Sequence, residues 1–217
     1  RLKPRIFPWD PPTVGWRGPI VEDDQSWSFW SAPLRASGQR PLVPKGRYFQ
    51  LQLQLQSSSL WEFARLDSLE VQFSHLLAER VVGEVAVAGE LQPPGRRVQV
   101  EAGKPTEFVY DVRAEFGGAE QVGFDAIRVV TPSSGRFLSL EMGEPLQMAE
   151  VEPDEVVLEE KGFVVYLPQR VERGGKNRLR IHLETVVYSS SERMRAEVLE
   201  RAGDTLAQEV EAGDASA

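Results

Sequence analysis

Hydrophobic and polar residues alternate without interruption along one stretch near the start of the chain. Over residues 49–56, Phe and Leu occupy every odd position and Gln every even position. A period of two places the apolar side chains on one face of a β-strand, whereas a helix would spread them around its circumference. Leu and Gln both favour helices, so the pattern here outweighs the composition. Residues 47–56 are therefore predicted to form a strand with one buried and one solvated face.

Other short alternating or apolar runs, bounded by Gly, Pro and Ser, predict further strands along the chain. They cover residues 13–16, 26–31, 65–73, 81–88, 97–102, 106–116, 124–130, 136–141, 155–160, 163–167 and 177–188. Short strands with turns about every eight to twelve residues are typical of sandwiches and barrels. The sequence therefore predicts an all-β fold made of two tandem β-sandwich domains, jelly-roll or immunoglobulin-like.

Three local features refine the predicted strands. Gly174-Gly175 indicates the turn of a β-hairpin. The alternation of residues 177–188 slips by one position at Thr185, which a β-bulge would produce. Residues 192–201 fit a helix and a strand, and the β-rich surroundings favour a strand.

Composition changes along the chain and suggests domain boundaries. All five tryptophans lie in the first 61 residues, while the later part is rich in Val and Glu. This predicts a Trp-rich domain over residues 1–76, a Val/Glu-rich domain over residues 77–190, and an acidic final strand and linker over residues 191–217. About four predicted strands are few for an independent sandwich. The first domain therefore either borrows strands from the second region or is incomplete.

Charge and composition narrow the classes of partner. The chain carries 25 basic and 33 acidic residues, a net charge of −8, and no cysteine. An acidic surface repels nucleic acid and anionic membranes, and no apolar run reaches the roughly 18 residues that span a bilayer. We therefore expect neither nucleic-acid binding nor membrane insertion. Without cysteine there is no disulfide framework and no thiolate chemistry.

Part of the Trp-rich region resembles a known class of module. The pentapeptide WSFWS at residues 27–31, the strand at residues 46–53 and the segment 66–71 are similar to bacterial extracytoplasmic β-sandwich modules, broadly galactose-binding-like (discoidin-like), in which a WSxW strand precedes an RYxQ strand. The resemblance covers residues 25–74. It implies a secreted, periplasmic or cell-surface location, in a fragment of a multidomain protein whose partners include other domains of the same polypeptide. The pentapeptide also matches the WSxWS motif of class I cytokine receptors, but this chain lacks the disulfides of that family.

Exposed tryptophans suggest carbohydrate binding, because indole rings stack on the faces of sugars. Trp16 lies beside Gly15, and Trp61 follows a serine-rich turn, so these two are the predicted ligand contacts. Trp27 and Trp30 are interpreted as core or edge-covering residues, since burying such a side chain contributes about 1.5–3 kcal/mol. A polysaccharide is accordingly one candidate partner.

The sequence offers little for metal binding or catalysis. Glu22, Asp23 and Asp24 are a candidate calcium site, because that cation prefers several carboxylate oxygens in a flexible loop, although adjacent acids are more often a solvated turn. His75 and His182 are the only histidines, and no G-x-S-x-G, P-loop or HExxH motif occurs. We expect no cofactor and no enzymatic activity.

The functional expectation follows from these observations. The chain is predicted to be a non-catalytic structural or adhesive module of a bacterial extracytoplasmic protein, acting through protein or glycan contacts. One alternative is a carbohydrate-binding accessory module of a secreted hydrolase. Another is a catalytic sandwich with a carboxylate pair.

Overall fold

The computed structural model describes most of the chain after residue 25. The described residues are 26–39, 41, 43, 46, 48–59, 61–63, 65–90, 98–144, 147–203 and 205–215. The chain divides into two compact units, a first unit of Arg1–Ser68 and a second unit of Leu69–Ala217. The predicted domain bounds and the number of sandwich domains stay predictions.

The described residues of the second unit contain eleven strands, and no helix occurs in the described part of the chain. The strands are β1 (Arg80–Val87), β2 (Pro105–Glu115), β3 (Phe124–Val130), β4 (Arg136–Glu144), β5 (Gln147–Val151), β6 (Glu155–Glu159), β7 (Gly162–Val171), β8 (Arg178–Val186), β9 (Arg195–Leu199), β10 (Gln208–Glu209) and β11 (Glu211–Ala212). The prediction of an all-β fold is confirmed, and β9 confirms the choice of strand over helix at residues 192–201.

The first unit carries no strand in the residues that the structure describes. Residues 26–31 and 48–56, described parts of two predicted strands, form no strand, and neither do residues 65–73, which extend into the second unit. The predicted strand at residues 13–16 lies outside the described residues. Alternation sets which face of a strand would be buried, but the hydrogen-bond ladder needs a neighbouring strand. Here the pattern is present and the ladder is not.

The strands of the second unit form two sheets. The six-stranded sheet has the order β11-β1-β2-β8-β4-β5, and the five-stranded sheet has the order β10-β9-β3-β7-β6. All strand pairs are antiparallel except β1 with β11, which is parallel. We call these sheets A and B, respectively.

One apolar layer joins the two sheets into a β-sandwich. In sheet A, the inward side chains include Tyr110 of β2 and Ile181 of β8, and in sheet B they include Ile127 of β3 and Phe163 of β7, all at most 3% exposed. The rings of Phe137 and Phe163 meet edge to face across the layer, with centroids 5.8 Å apart. Each such side chain contributes about 1.5–3 kcal/mol on burial.

Two local predictions for the second unit are wrong. Gly174-Gly175 does not close a hairpin, because β7 and β8 belong to different sheets. No bulge occurs at Thr185, which pairs with Thr106 in continuous register. Thr185 is a buried polar residue on the inward face, and its hydroxyl lies 3.1 Å from the Ser133 hydroxyl. A hydrogen-bonded threonine therefore replaces an apolar residue without any slip of the strand.

Other differences concern strand boundaries. Residues 98–102 carry no strand where one was predicted, and β5 was missed. The acidic segment expected to end in a linker instead contributes β10 and β11, and its Ala215 is 2% exposed.

The segment Gln208–Gly213 closes the sandwich by bonding to both sheets. The Gln208 side chain in β10 accepts a hydrogen bond from the Ala78 amide and donates one to the Ala78 carbonyl, both at 3.0 Å. Val210 enters the core, and the Gly213 amide donates to the Gly83 carbonyl at 3.1 Å. Tyr110 and Val210 both lie close to the backbone of Gly83 in β1. A Cβ on Gly83 would lie 2.5 Å from the Tyr110 hydroxyl and 2.7 Å from Val210 Cγ1, so this position requires a glycine.

We expect Gly83→Ala to lower the free energy of unfolding by about 1–3 kcal/mol, because both crowded neighbours are buried and overpacking a core costs that amount. Urea denaturation measures the change. Gly118→Ala is the matched control, since its nearest atoms would be 3.9 Å from the added Cβ. Equal midpoints for the two variants would contradict the role of Gly83.

Gln208→Ala is expected to lower the free energy of unfolding by about 1–3 kcal/mol, because it leaves the buried amide and carbonyl of Ala78 without their partner. Thermal and urea unfolding measure the loss. Gln147→Ala, at an exposed position of β5, should change stability little. A Gln208 variant as stable as this control would show that the closing segment is dispensable.

Candidate functional site

The Trp61 turn is the best-defined exposed aromatic feature of the first unit. Serine side chains hold the backbone: the Ser57 hydroxyl donates to the Ser59 carbonyl at 2.6 Å, and the Trp61 amide donates to the Ser59 hydroxyl at 3.0 Å. The Glu62 amide donates to the same Ser59 carbonyl at 3.3 Å. Local side-chain bonds of this kind favour tight turns over regular structure. The serine run that predicted a loop therefore orders it.

The Trp61 side chain is almost fully exposed, and residues before and after it in the chain line an open depression. Trp61 is 93% exposed, and Phe63 is 84% exposed. The depression has a volume of about 560 Å³ and is lined by Gln56, Ser57, Ser58, Glu62 and Phe63. The Ser58 hydroxyl contacts the Glu62 carboxylate, which fixes an acceptor in the lining of the depression.

This arrangement combines an apolar surface with hydrogen-bonding groups. Aromatic rings offer a large rigid apolar face, while carboxylate, amide and hydroxyl groups accept or donate hydrogen bonds. A pyranose has a matching chemistry, with C–H groups on its face and hydroxyls around its rim. The predicted contact Trp61 is exposed to solvent, as a stacking contact requires.

Trp16 and the candidate calcium ligands Glu22, Asp23 and Asp24 lie outside the described residues. Within the part that the structure describes, no group of three or more His, Asp or Glu side chains is arranged to hold a metal ion.

Trp27 and Trp30 differ from their interpretation as buried residues. They are 46% and 60% exposed. Burial of a tryptophan requires a packed sheet or core, and the described residues of the first unit form no sheet that would provide it.

A polar network on the outer face of sheet A was not found by sequence reasoning. Arg180 of β8 donates to both carboxylate oxygens of Asp111 in β2, at 2.7 and 3.1 Å. Glu141 of β4 lies 3.9 Å from Arg180 and 2.9 Å from His182 Nε2. The hydrogen bonds to Asp111 raise the pKa of Arg180, against an opposing effect of burial. Each carboxylate is engaged by a neighbouring strand, so the network orders the sheet surface.

The alternation of β8 did contain a signal for this network. Charged or ionisable side chains occupy every second position, at Arg178, Arg180, His182 and Glu184. The sequence shows that these side chains share one face, but only the strand order shows that β2 and β4 supply the acids.

A second cluster lies at one end of sheet B. The Arg170 guanidinium donates to the Val122 carbonyl at 2.7 Å and to the Glu200 carboxylate at 2.6 Å. Arg201 lies 4.7 Å from the centroid of the Tyr166 ring, a cation–π contact. The Arg170 hydrogen bond, followed by one from Thr205 at 2.8 Å, lowers the pKa of Glu200.

We expect Glu200→Gln to lower stability at neutral pH by about 1–3 kcal/mol, through loss of a charge-assisted hydrogen bond. Because the folded-state pKa of Glu200 is lowered, its stabilisation is present above the unfolded pKa and is lost as pH falls through the folded value. The difference in unfolding free energy between the wild type and the variant should therefore stay constant from neutral pH down to the unfolded pKa of about 4.3 and shrink as the pH falls below it.

Glu120→Gln provides the control for this titration, since the Glu120 side chain is 82% exposed. The difference in unfolding free energy between this variant and the wild type should stay small over the whole pH range. A Glu200 difference that is constant with pH would rule out the ionic contribution.

Comparison with protein-family models and with curated protein sequences found no match. None of the described residues forms a helix long and apolar enough to cross a membrane.

Proposed function

We propose that this protein is a non-catalytic adhesive or structural module of a bacterial extracytoplasmic protein, and that it acts through surface contacts with glycans or proteins. The observation that carries the proposal is the Trp61 turn, where the side chain of Trp61 is 93% exposed and the neighbouring residues Ser58, Glu62 and Phe63 line an open depression. Exposing an aromatic side chain of this size forgoes a large gain from burial, which favours a role in recognition.

Three carboxylates of the second unit, those of Glu200, Asp111 and Glu141, are poor candidates for a catalytic acid. A glycosidase general acid needs a raised pKa so that it is protonated near neutral pH. The pKa of Glu200 is lowered instead, by the hydrogen bond from Arg170. Asp111 and Glu141 are engaged by Arg180 and His182 in cross-strand contacts.

The alternative is a carbohydrate-binding accessory module of a secreted hydrolase. The same exposed indole favours it, because stacking on a sugar serves adhesion and substrate targeting equally. Both functions place the glycan at Trp61, and the catalytic or structural nature of any adjoining domain distinguishes them.

Affinity electrophoresis in gels containing soluble polysaccharides, together with a glycan array, tests the contact. At least one polysaccharide should slow the migration of the wild type. Trp61→Ala should migrate at the same rate in gels with and without that polysaccharide, because the variant lacks the stacking surface. Loss of one aromatic–sugar stacking contact of about 1–3 kcal/mol weakens binding roughly 5- to 150-fold.

Phe29→Ala is the matched control, since Phe29 is an equally exposed aromatic of the first unit, at 94%. It should bind as the wild type does. A folded wild type that binds no glycan on the array, or retention unaffected by Trp61→Ala, would exclude the glycan contact and leave protein contacts as the mode of action.

A further inference from the structure

The alternating segment Gln50–Gln56 is exposed on both faces. Leu51, Leu53 and Leu55 are 56%, 54% and 56% exposed, and the intervening glutamines are exposed as well. No backbone hydrogen bond joins this segment to another part of the described chain. The segment therefore has the side-chain pattern of a sheet strand and an unused set of backbone donors and acceptors.

The sequence in and around this segment lacks the features that keep edge strands from pairing. Charged residues and proline normally protect exposed edges. The edge strands of the sandwich follow this rule, with Glu150 in β5 and with Glu155 and Glu159 in β6. Residues 48–61 contain no charged residue and no proline. Nothing in the sequence of this segment opposes addition of another strand.

The segment is self-complementary when read in opposite directions. In an antiparallel pair of two such segments centred on Leu53, a residue a given number of positions before Leu53 faces the residue the same number of positions after Leu53 in the other copy. Gln50 then faces Gln56, Leu51 faces Leu55, Gln52 faces Gln54, and Leu53 faces itself. Leucine meets leucine on one face and glutamine meets glutamine on the other, at every position.

We propose that two copies of this protein associate by antiparallel β-pairing of Gln50–Gln56 about a two-fold axis at Leu53. Such an interface is isologous, because each copy contributes the same edge. The backbone ladder satisfies donors and acceptors on that edge, and the paired leucines bury apolar surface that each copy exposes alone. A two-stranded ribbon is only marginally stable by itself, so the association is weak and depends on protein concentration.

Light scattering coupled to size exclusion, over a concentration series, measures the association. The wild type should shift from the mass of one copy to that of two as concentration rises. Leu53→Lys and Leu53→Glu should each stay at one copy, since like charges then face each other on the axis. An equimolar mixture of these two variants should regain the mass of two copies.

A second pair of variants tests the antiparallel register. In the proposed pairing, Leu51→Lys combined with Leu55→Glu places opposite charges across the interface and retains the dimer, whereas Leu51→Lys combined with Leu55→Lys abolishes it. Parallel in-register pairing would make both double variants monomeric. The substituted side chains are more than half exposed, so folding should be unaffected, and an unchanged melting temperature checks this.

Leu158→Lys is the control for a charge added at an exposed leucine elsewhere, since Leu158 is 70% exposed in the edge strand β6. It should dimerise as the wild type does. The proposal is overturned by a wild type of one copy at every concentration, by assemblies larger than two copies, or by a Leu53→Lys or Leu53→Glu variant that self-associates on its own.

Discussion

The apolar layer shared by sheets A and B is the interaction on which the rest of the second unit depends. Strands with a period of two present one apolar face each, and neither sheet is stable while that face meets water. Residues from both sheets, among them Ile127, Phe163 and Ile181, are fully buried in this layer. The loops, the outer-face ion pairs and the closing segment all attach to strands that this layer holds in place.

The outer faces and the end of the chain show how the remaining groups are satisfied. Cross-strand pairs such as Asp111 with Arg180 engage charged side chains that the alternation turns outward. The segment Gln208–Gly213 bonds to both sheets, with Gln208 meeting the backbone of Ala78 and Val210 entering the core. A short polar stretch near the end of the chain thereby becomes part of the fold.

The Gln/Leu segment and β8 follow the same alternation with different outcomes. In β8, Leu179, Ile181 and Leu183 are at most 1% exposed, because β2 and β4 pair with the strand on both sides and sheet B covers its inner face. In Gln50–Gln56 the leucines are exposed, and no described strand lies alongside. Accessible apolar side chains therefore remain in the first unit, and the proposed recognition and self-association both use them. The Trp61 turn directly follows the Gln/Leu segment in the chain.

The sequence by itself determined the all-β class and most strands of the second unit, because period-two alternation and turn residues act over a few neighbouring positions. It did not determine the strand order, the inward Thr185, the contacts of Gln208 or the partners of Arg180. These depend on residues that are far apart in the chain, such as Ser133 and Thr185 with a separation of 52. Local pattern shows which face of a strand is apolar. Only the tertiary structure decides which strand lies beside it, and hence whether a leucine is buried, as in β8, or left exposed, as at Leu53.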